Sequence, residues 1–594
     1  MELNLTLFIS LLICSFSHSN EGKIQPLSIN DVGEELSDPC RSKIYCEGDL
    51  LHAVQLLRVF GDSKEFVDLP MKRSSEEILT SFVKLIDESK INVSAFDYVN
   101  ETELARYREI IGYFIHENFG GENELMQPAN LTDWRDNPSF IEFIQDDSYK
   151  EWAYNLNEIW KNLAREMSEN VRDHPERHSL IYVNNSFVVP GGRFKEFYYW
   201  DTYWVIEGLL LCEMYDTVRG MIENFLSMVE RYGFIPNGGR IYYLSRSQPP
   251  LLIPMVYEYF RVTNDIDFVN LNLDTLEEEF QYWMRYKSVK ISKDGKMYSL
   301  SRYVTHSPTP RPESYREDYD QAEKLTELQK KFDLYNNIKA GAESGWDFSS
   351  RWFADKNGAR SQNLDDIVTS DILPVDLNAF IQRNAKILSK FFYLKGDVLR
   401  SEYYKEIAVM YQDSIEALLW NEEDGTWYDL DMKHGTQRKL FYLSNLTPLY
   451  TESYDENQSD YYGKRSVEYL KNNEISKYSG MPTSLCSSQE QWDFPNVWAP
   501  LQSIVVEGLR KTNNIQAVEL AEQFAINFLY TTYHGYQRHG KMYEKYNATN
   551  PGESGQGGEY QPQDGFGWTN AVVLHSLFLF LPGGSRLRLT PKID

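Results

Sequence analysis

The sequence predicts an all-α fold of helical hairpins joined by aromatic loops, with a few short strands inside those loops. Three observations lead there. Apolar side chains recur at helical spacing in distant stretches: Val218, Met221, Ile222, Phe225, Leu226 and Val229; then Ile407, Met410, Tyr411, Ile415, Leu418 and Leu419; then Ala517, Val518, Ala521, Phe524, Ala525, Phe528 and Leu529. The helices come in pairs, about 202–214 with 217–231 and about 500–510 with 515–530, and the first member of a pair follows an aromatic-rich loop. "YYWDTYWVIEGLL", "PNVWAPLQSIVVEGL" and "GFGWTNAVVLHSL" share that layout, and "VIEGL" at 205–209 is echoed by "VVEGL" at 505–509. Strand alternation is confined to short pieces such as "KMYSLSRYV".

A lone helical hairpin cannot bury its apolar face, so repeated hairpins imply an array or a closed ring of them. Loops at equivalent places in each hairpin would then gather at one end.

Taken in order, the chain opens on "MELNLTLFISLLICSFSHSN", whose apolar run at 5–16 is followed by small residues. The run is too short to cross a bilayer and reads as a signal peptide over 1–19, which implies a secreted, extracellular protein. Residues 20–149 are more polar, with helical patches such as "SSEEILTSFVKLIDES", and read as an N-terminal extension packed on the helical domain. From 150 to 594 no Pro/Ser/Gly-rich linker divides the chain, so this part reads as one domain. No later stretch is apolar for about 18 residues, and no membrane anchor is expected.

Composition narrows the partners. A formal net charge of −28 over 594 residues disfavours nucleic acid and anionic membranes. Aromatic residues make up 14% of the chain, with 41 Tyr and 13 Trp, which suits a polar ring-shaped ligand as well as a large core. N-linked glycans are expected from acceptor triplets at Asn92, Asn100, Asn130, Asn184, Asn445, Asn457 and Asn547. Cys40 and Cys46 are close enough to close a short loop under oxidising conditions, and Cys212 and Cys486 sit in apolar or motif-like surroundings.

The chemistry concentrates in loops that set an acid or an arginine among Trp, Tyr, Pro and Gly. They are "PGGRFKEFYYWD" (190–201), "PNGGRIYYLSRSQPP" (236–250), "RPESYREDY" (311–319), "ESGWDFSSRW" (343–352), and a C-terminal set of "QWDFPNVWAP" (491–500), "KMYEKYN" (541–547) and "GGEYQPQDGFGWTN" (557–570). If they converge, they make a polar pocket walled with rings. Hydrolysis of a glycosidic bond needs one carboxylic acid to protonate the leaving oxygen and one carboxylate to activate water or attack. Asp347, between Trp346 and Phe348, fits the acid, because aromatic packing raises a carboxyl pKa. Glu544, beside Lys545, fits a base kept ionised by a cation. With 88 acids in the chain, spacing alone does not single these two out.

Other chemistries have less support. "HPERH" spaces His174 and His178 like a helical zinc pair, but Pro175 follows the first and the usual Glu is not next to it, so it reads as a solvated helix start or turn. No phosphate-binding loop, dinucleotide glycine fingerprint or serine elbow is present. No metal site and no cofactor are expected.

"PGGRFKEFYYWDTY" and "QWDFPNVWAP" resemble the two signature segments of trehalases, the inverting α,α-trehalose glucohydrolases of glycoside hydrolase family 37. The likeness runs on through "PNGG", "SRSQPP", "RPESYREDY", "ESGWDFSSRW", "EKYN" and "GGEYQPQDGFGWTN" and covers nearly all of 150–585. The resemblance implies an (α/α)6 toroid that cleaves trehalose, a small disaccharide, into one β- and one α-glucose. It also implies Asp347 as general acid and Glu544 as general base. Arg193, Trp200, Asp201, Asn237, Arg246, Ser247, Gln248, Arg311, Glu313, Gly345 and Glu559 would hold the two glucose rings, with Trp492 in the wall. Inversion requires the two carboxyl groups to stand roughly 6.5–9.5 Å apart. The glycine run before Glu559 is interrupted by Gln556, and the triplet at Asn547 is expected to be unmodified or to point outward. The rival readings are a toroidal hydrolase for another glucoside such as maltose, and a sugar-binding protein without chemistry.

Overall fold

The apolar spacing read from the sequence becomes a double ring of twelve helices. The structure, a computed structural model, describes residues 25–27, 40–121 and 125–580. The segment read as a signal peptide and the last residues from 581 lie outside the described residues. The ring helices are α1 (Asp147–Leu163), α2 (Tyr199–Leu211), α3 (Tyr215–Tyr232), α4 (Leu252–Thr263), α5 (Ile266–Tyr286), α6 (Val375–Lys395), α7 (Val398–Leu418), α8 (Thr447–Thr451), α9 (Ser459–Asn472), α10 (Ala499–Lys511), α11 (Ile515–His539) and α12 (Gly567–Phe580). Helix α2 touches α4, α4 touches α6, and the contacts run on through α8, α10 and α12 back to α2. The even-numbered helices therefore close an inner ring, and the odd-numbered ones pack outside it: an (α/α)6 toroid.

Side-chain patterning explains which helix takes which ring. A helix surrounded by others must be apolar on all sides, whereas an outer one needs only a stripe. In α2 every residue from Tyr199 to Leu210 is buried except Glu207. In α3 the periodic set Val218, Met221, Ile222, Phe225, Leu226 and Val229 is buried, and the helix stops at Gly233, whose φ of 75° is left-handed. The inner helix α8 has only five residues, too few for any period to be read.

Short strands occupy the loops. "KMYSLS" (Lys296–Ser301) pairs antiparallel with Ser288–Lys293, and Asn496–Trp498 pairs antiparallel with Lys545–Asn547 in the register Trp498↔Lys545. Between α5 and α6 an insertion carries the helices Tyr315–Glu323 and Leu328–Glu343.

Residues 40–119 form a separate apolar cluster that includes Ile44, Leu51, Phe66, Phe82 and Ile111 and meets Tyr198, Tyr242 and Tyr243 from the ring's loops. Cys40 and Cys46 are disulfide-bonded, and Cys212 and Cys486 are free and buried. The turn at "HPERH" is only half solvated: His174 is exposed, but His178 is buried. Among the described residues no helix is long and apolar enough to cross a membrane.

Candidate active site

Segments at the N-terminal ends of α2, α4, α10 and α12 converge with the Leu328–Glu343 insertion on one cavity, which with its mouth holds about 730 Å³ of empty space. All the site residues singled out from the sequence line it except Ser247. Ser247 is fully buried and structural: its Oγ donates to the Ile235 carbonyl (2.6 Å) and its N–H donates to Glu343 Oε1 (3.0 Å). It fixes the loop from which Arg246 and Gln248 reach the cavity.

Local structure places each group. Trp200 and Asp201 lie in the first turn of α2 rather than in a loop, and the Trp200 N–H donates to Gln248 Oε1 (3.0 Å). Asp347 follows the turn after Leu328–Glu343. That turn passes so close to the Trp200 indole that a Cβ on Gly345 would come within 2.7 Å of it, and Gly345 has φ of 76°. Glu544 directly precedes the strand Lys545–Asn547, so its position follows from the pairing with Asn496–Trp498. Its main chain is held by the Gln563 carbonyl, which accepts from its N–H (2.9 Å), and by Trp568 Nε1–H, which donates to its carbonyl (3.3 Å). One wall is a stack of rings: Trp492 lies on Trp498 with centroids 4.0 Å apart and on Trp346 at 5.4 Å.

The two carboxyl groups sit in different fields. Burial raises Asp347 from 3.8 to about 7, opposed by Arg311 and assisted by Glu559. Burial also raises Glu544, opposed first by Lys545. The sequence predicts that Lys545 keeps this base ionised. The Lys545 Nζ is 3.9 Å from Glu544 Oε2 and does pull in that direction, but desolvation outweighs it. Glu544 is further held by the Tyr560 hydroxyl, donating to Oε1 (2.8 Å), and the Gln563 N–H, donating to Oε2 (3.3 Å). Asp201 is raised well above the usual range by burial and then by the charges of Glu544 and Asp347. A neutral Asp201 can donate a hydrogen bond, which a carboxylate cannot.

Arginines anchored by acids complete the lining. Arg246 Nη2 donates to Glu313 Oε1 (2.5 Å) and to Asn237 Oδ1 (3.3 Å). Arg311 is gripped by Asp318 and donates from Nη2 to Glu559 Oε1 (2.7 Å). Arg193 Nε, Arg246 Nε and Nη1, and Glu313 Oε2 are buried with no protein partner among the described residues. Leaving such groups unpaired is costly, so they suit a ligand rich in hydroxyls. The arrangement offers a proton donor, a proton acceptor and fixed hydrogen-bonding groups in a pocket walled by aromatic faces.

Sequence reasoning missed several lining residues: Lys64, Tyr198, Tyr243, Ser314, Gln491, Tyr560 and Trp568. All of these but Lys64 lie inside the aromatic loop segments, and lysine at 64 had no motif around it. Gln556 anchors the loop that carries Glu559, since its N–H donates to Asn496 Oδ1 (2.8 Å) and its carbonyl accepts from Asn496 Nδ2 (2.8 Å).

A family model described as Trehalase matches residues 58–580. The chain is 48% identical over 542 residues to a trehalase of Pimpla hypochondriaca, covering 91% of this chain and 90% of that one. It is 43% identical over 562 residues to a trehalase of Homo sapiens, covering 94% and 92%. Among solved structures, the neutral trehalase of Saccharomyces cerevisiae superposes with a TM-score of 0.55 at 20% identity, over 77% of this chain and 92% of that one, a likeness of fold. With a family match across most of its length and relatives of this identity over nearly the whole chain, the protein belongs to the trehalase family.

Proposed function

We propose that the protein hydrolyses α,α-trehalose to two glucose molecules with inversion at the attacked carbon. Asp347 is the general acid and Glu544 the general base. The observation that carries this reading is the pair of buried carboxyls lining one ring-walled cavity, with Asp347 raised to about 7 and so able to hold a proton near neutrality. Asp347 gives its proton to the bridging oxygen as the glycosidic bond breaks, and the departing glucose leaves as a neutral alcohol. Glu544, oriented by Tyr560 and the Gln563 N–H, takes a proton from the water that attacks the anomeric carbon from the opposite face. Arg193, Arg246 and Arg311 supply fixed donors to the sugar hydroxyls, and their acid partners hold them in place before substrate arrives. The cost of orienting the site is thus met in folding.

The test is glucose release across α,α-trehalose, maltose, isomaltose and sucrose, with Asp347→Asn and Glu544→Gln beside the wild type. Rapid release from trehalose alone, lost by a factor of about 10² or more in either variant, is the expected result. Equal cleavage of maltose, or an active Asp347→Asn, would overturn the assignment.

The protein is further proposed to be secreted and glycosylated. The apolar run at 5–16 and the Cys40–Cys46 disulfide support an oxidising route. Asn92, Asn100, Asn130, Asn184 and Asn457 are exposed and open to modification, whereas Asn547 is half-buried.

A further inference from the structure

Asp62 and Lys64 belong to the cluster formed by residues 40–119, far in sequence from every residue assigned a role in the site. The segment 60–68 nevertheless packs into the cavity wall. Ser63–Val67 is a single helical turn capped by Asp62, whose Oδ1 accepts from the Lys64 N–H (2.9 Å), while Glu65 Oε1 accepts from the Asp62 N–H (3.1 Å). A cap needs only one carbonyl-type oxygen. Asp62 has a second function: its carboxylate receives Arg193 Nη2 at 2.7 Å.

Arg193 lines the cavity, has a buried Nε without a protein partner among the described residues, and lies with its guanidinium carbon 4.8 Å from the centre of the Tyr560 ring. Tyr560 in turn donates to Glu544. A chain of contacts thus runs from Asp62 through Arg193 and Tyr560 to the general base. The same segment is tied to the loop that carries Arg311 and Glu313. Arg316 donates to the carbonyls of Phe60 (3.0 Å) and Gly61 (2.8 Å), and Ser63 Oγ donates to Glu317 Oε2 (2.9 Å).

We infer that Asp62 is a positioning residue of the active site, holding the Arg193 guanidinium in the one orientation that both serves a sugar hydroxyl and braces Tyr560 against Glu544. Arg193 has many rotamers, and without an anionic partner it would be free to swing toward Glu544 or the solvent. The inference rests on the proposed trehalose hydrolysis, and the experiment separates the two.

Five proteins are compared on trehalose across pH: wild type, Asp62→Asn, Glu65→Ala, Arg193→Lys, and the double variant Asp62→Asn/Arg193→Lys. Asparagine caps a helix as well as aspartate does, so Asp62→Asn keeps the turn and removes only the charge. Glu65→Ala loosens the same turn without touching Arg193. The expected result is a fall in kcat/KM of roughly tenfold or more for Asp62→Asn, a change of less than about twofold for Glu65→Ala, and little further loss when Asp62→Asn is added to Arg193→Lys. The limb of the pH profile set by Glu544 should also move in Asp62→Asn and not in Glu65→Ala. Equal losses in Asp62→Asn and Glu65→Ala, or the same loss with and without Arg193, would reduce Asp62 to a helix cap and overturn the inference. A wild type that does not cleave trehalose would instead fault the function and leave the ratio to be read on the true substrate.

Discussion

The protonation of Asp347 sets how activity should fall as the solution becomes alkaline. Its carboxyl is moved from 3.8 to about 7, chiefly by burial. A displacement of that size corresponds to about 4 kcal/mol in favour of the protonated form. A general acid works only while it holds its proton, so kcat/KM should fall tenfold per pH unit above about 7, leaving about one part in a hundred at pH 9. On the acid side the rate falls as Glu544 is protonated, which gives a bell whose two limbs belong to the interacting pair. Glu559→Gln tests the cause of the alkaline limb. Glu559 raises Asp347 through its charge and also accepts from Arg311, which lowers it. Removing that charge should move the alkaline limb to lower pH. Because Glu559 lines the cavity, activity will also drop, so the position of the limb is the readout and its height is not. Initial rates of glucose release from pH 4 to 10 give both. A wild-type profile flat to pH 9, or a limb that moves up in Glu559→Gln, would refute the reasoning.

Three further outcomes rest on individual residues. Glu279, in α5, is wholly buried and accepts from the Tyr199 hydroxyl, and burial raises it from 4.5 to about 7. The folded state therefore holds a proton that the unfolded chain releases. The associated stability is complete below about pH 4.5 and lost as pH rises through about 7, an effect of about 3 kcal/mol. Glu279→Gln keeps an acceptor for Tyr199, so its melting temperature should gain on the wild type between pH 5 and 8, and an unchanged difference would count against this. Gly345→Ala combines a left-handed φ with a Cβ at 2.7 Å from Trp200, a ring hemmed in by Trp204 and Trp492. The backbone strain alone is about 1–2 kcal/mol, and KM should rise at least tenfold; a wild-type KM would show that the turn yields freely. Asn445 is buried, with Nδ2 donating to the Leu440 carbonyl (2.9 Å) and to the Tyr469 hydroxyl (3.0 Å), so glycopeptide mass spectrometry should find it bare; a glycan there would contradict the packing.

The fold is legible in the sequence where helices are amphipathic and long. The outer helices α3, α7 and α11 show their stripes, because one side of each faces water, although Val518, read into the α11 stripe, is exposed. The inner ring is readable mainly through its aromatic entry loops, since a helix buried all round has no stripe. Five-residue α8 cannot be read at all. Within the site, the aromatic and cationic neighbours of Asp347 and Glu544 favour them only weakly among 88 acids, and the likeness to trehalase motifs singles them out; their electrostatics cannot be read, because the balance between Lys545 and desolvation at Glu544 depends on depth. Ser247 lies between two residues that reach the cavity, yet successive residues in a loop face different ways, and its own side chain turns into the core. Asp62 carries a readable signal only as a cap, with Glu65 three residues on; its ion pair with Arg193 spans 131 positions and exists only once the chain is folded.

Proton NMR of the first glucose formed from α,α-trehalose tests the central claim most directly, provided spectra are taken before the anomers interconvert. An acid at Asp347 and a water-activating base at Glu544 predict one β-glucose for every α-glucose, with neither released by Asp347→Asn. Two α-glucose molecules per trehalose would mean that a carboxylate attacks the sugar itself and would contradict the account.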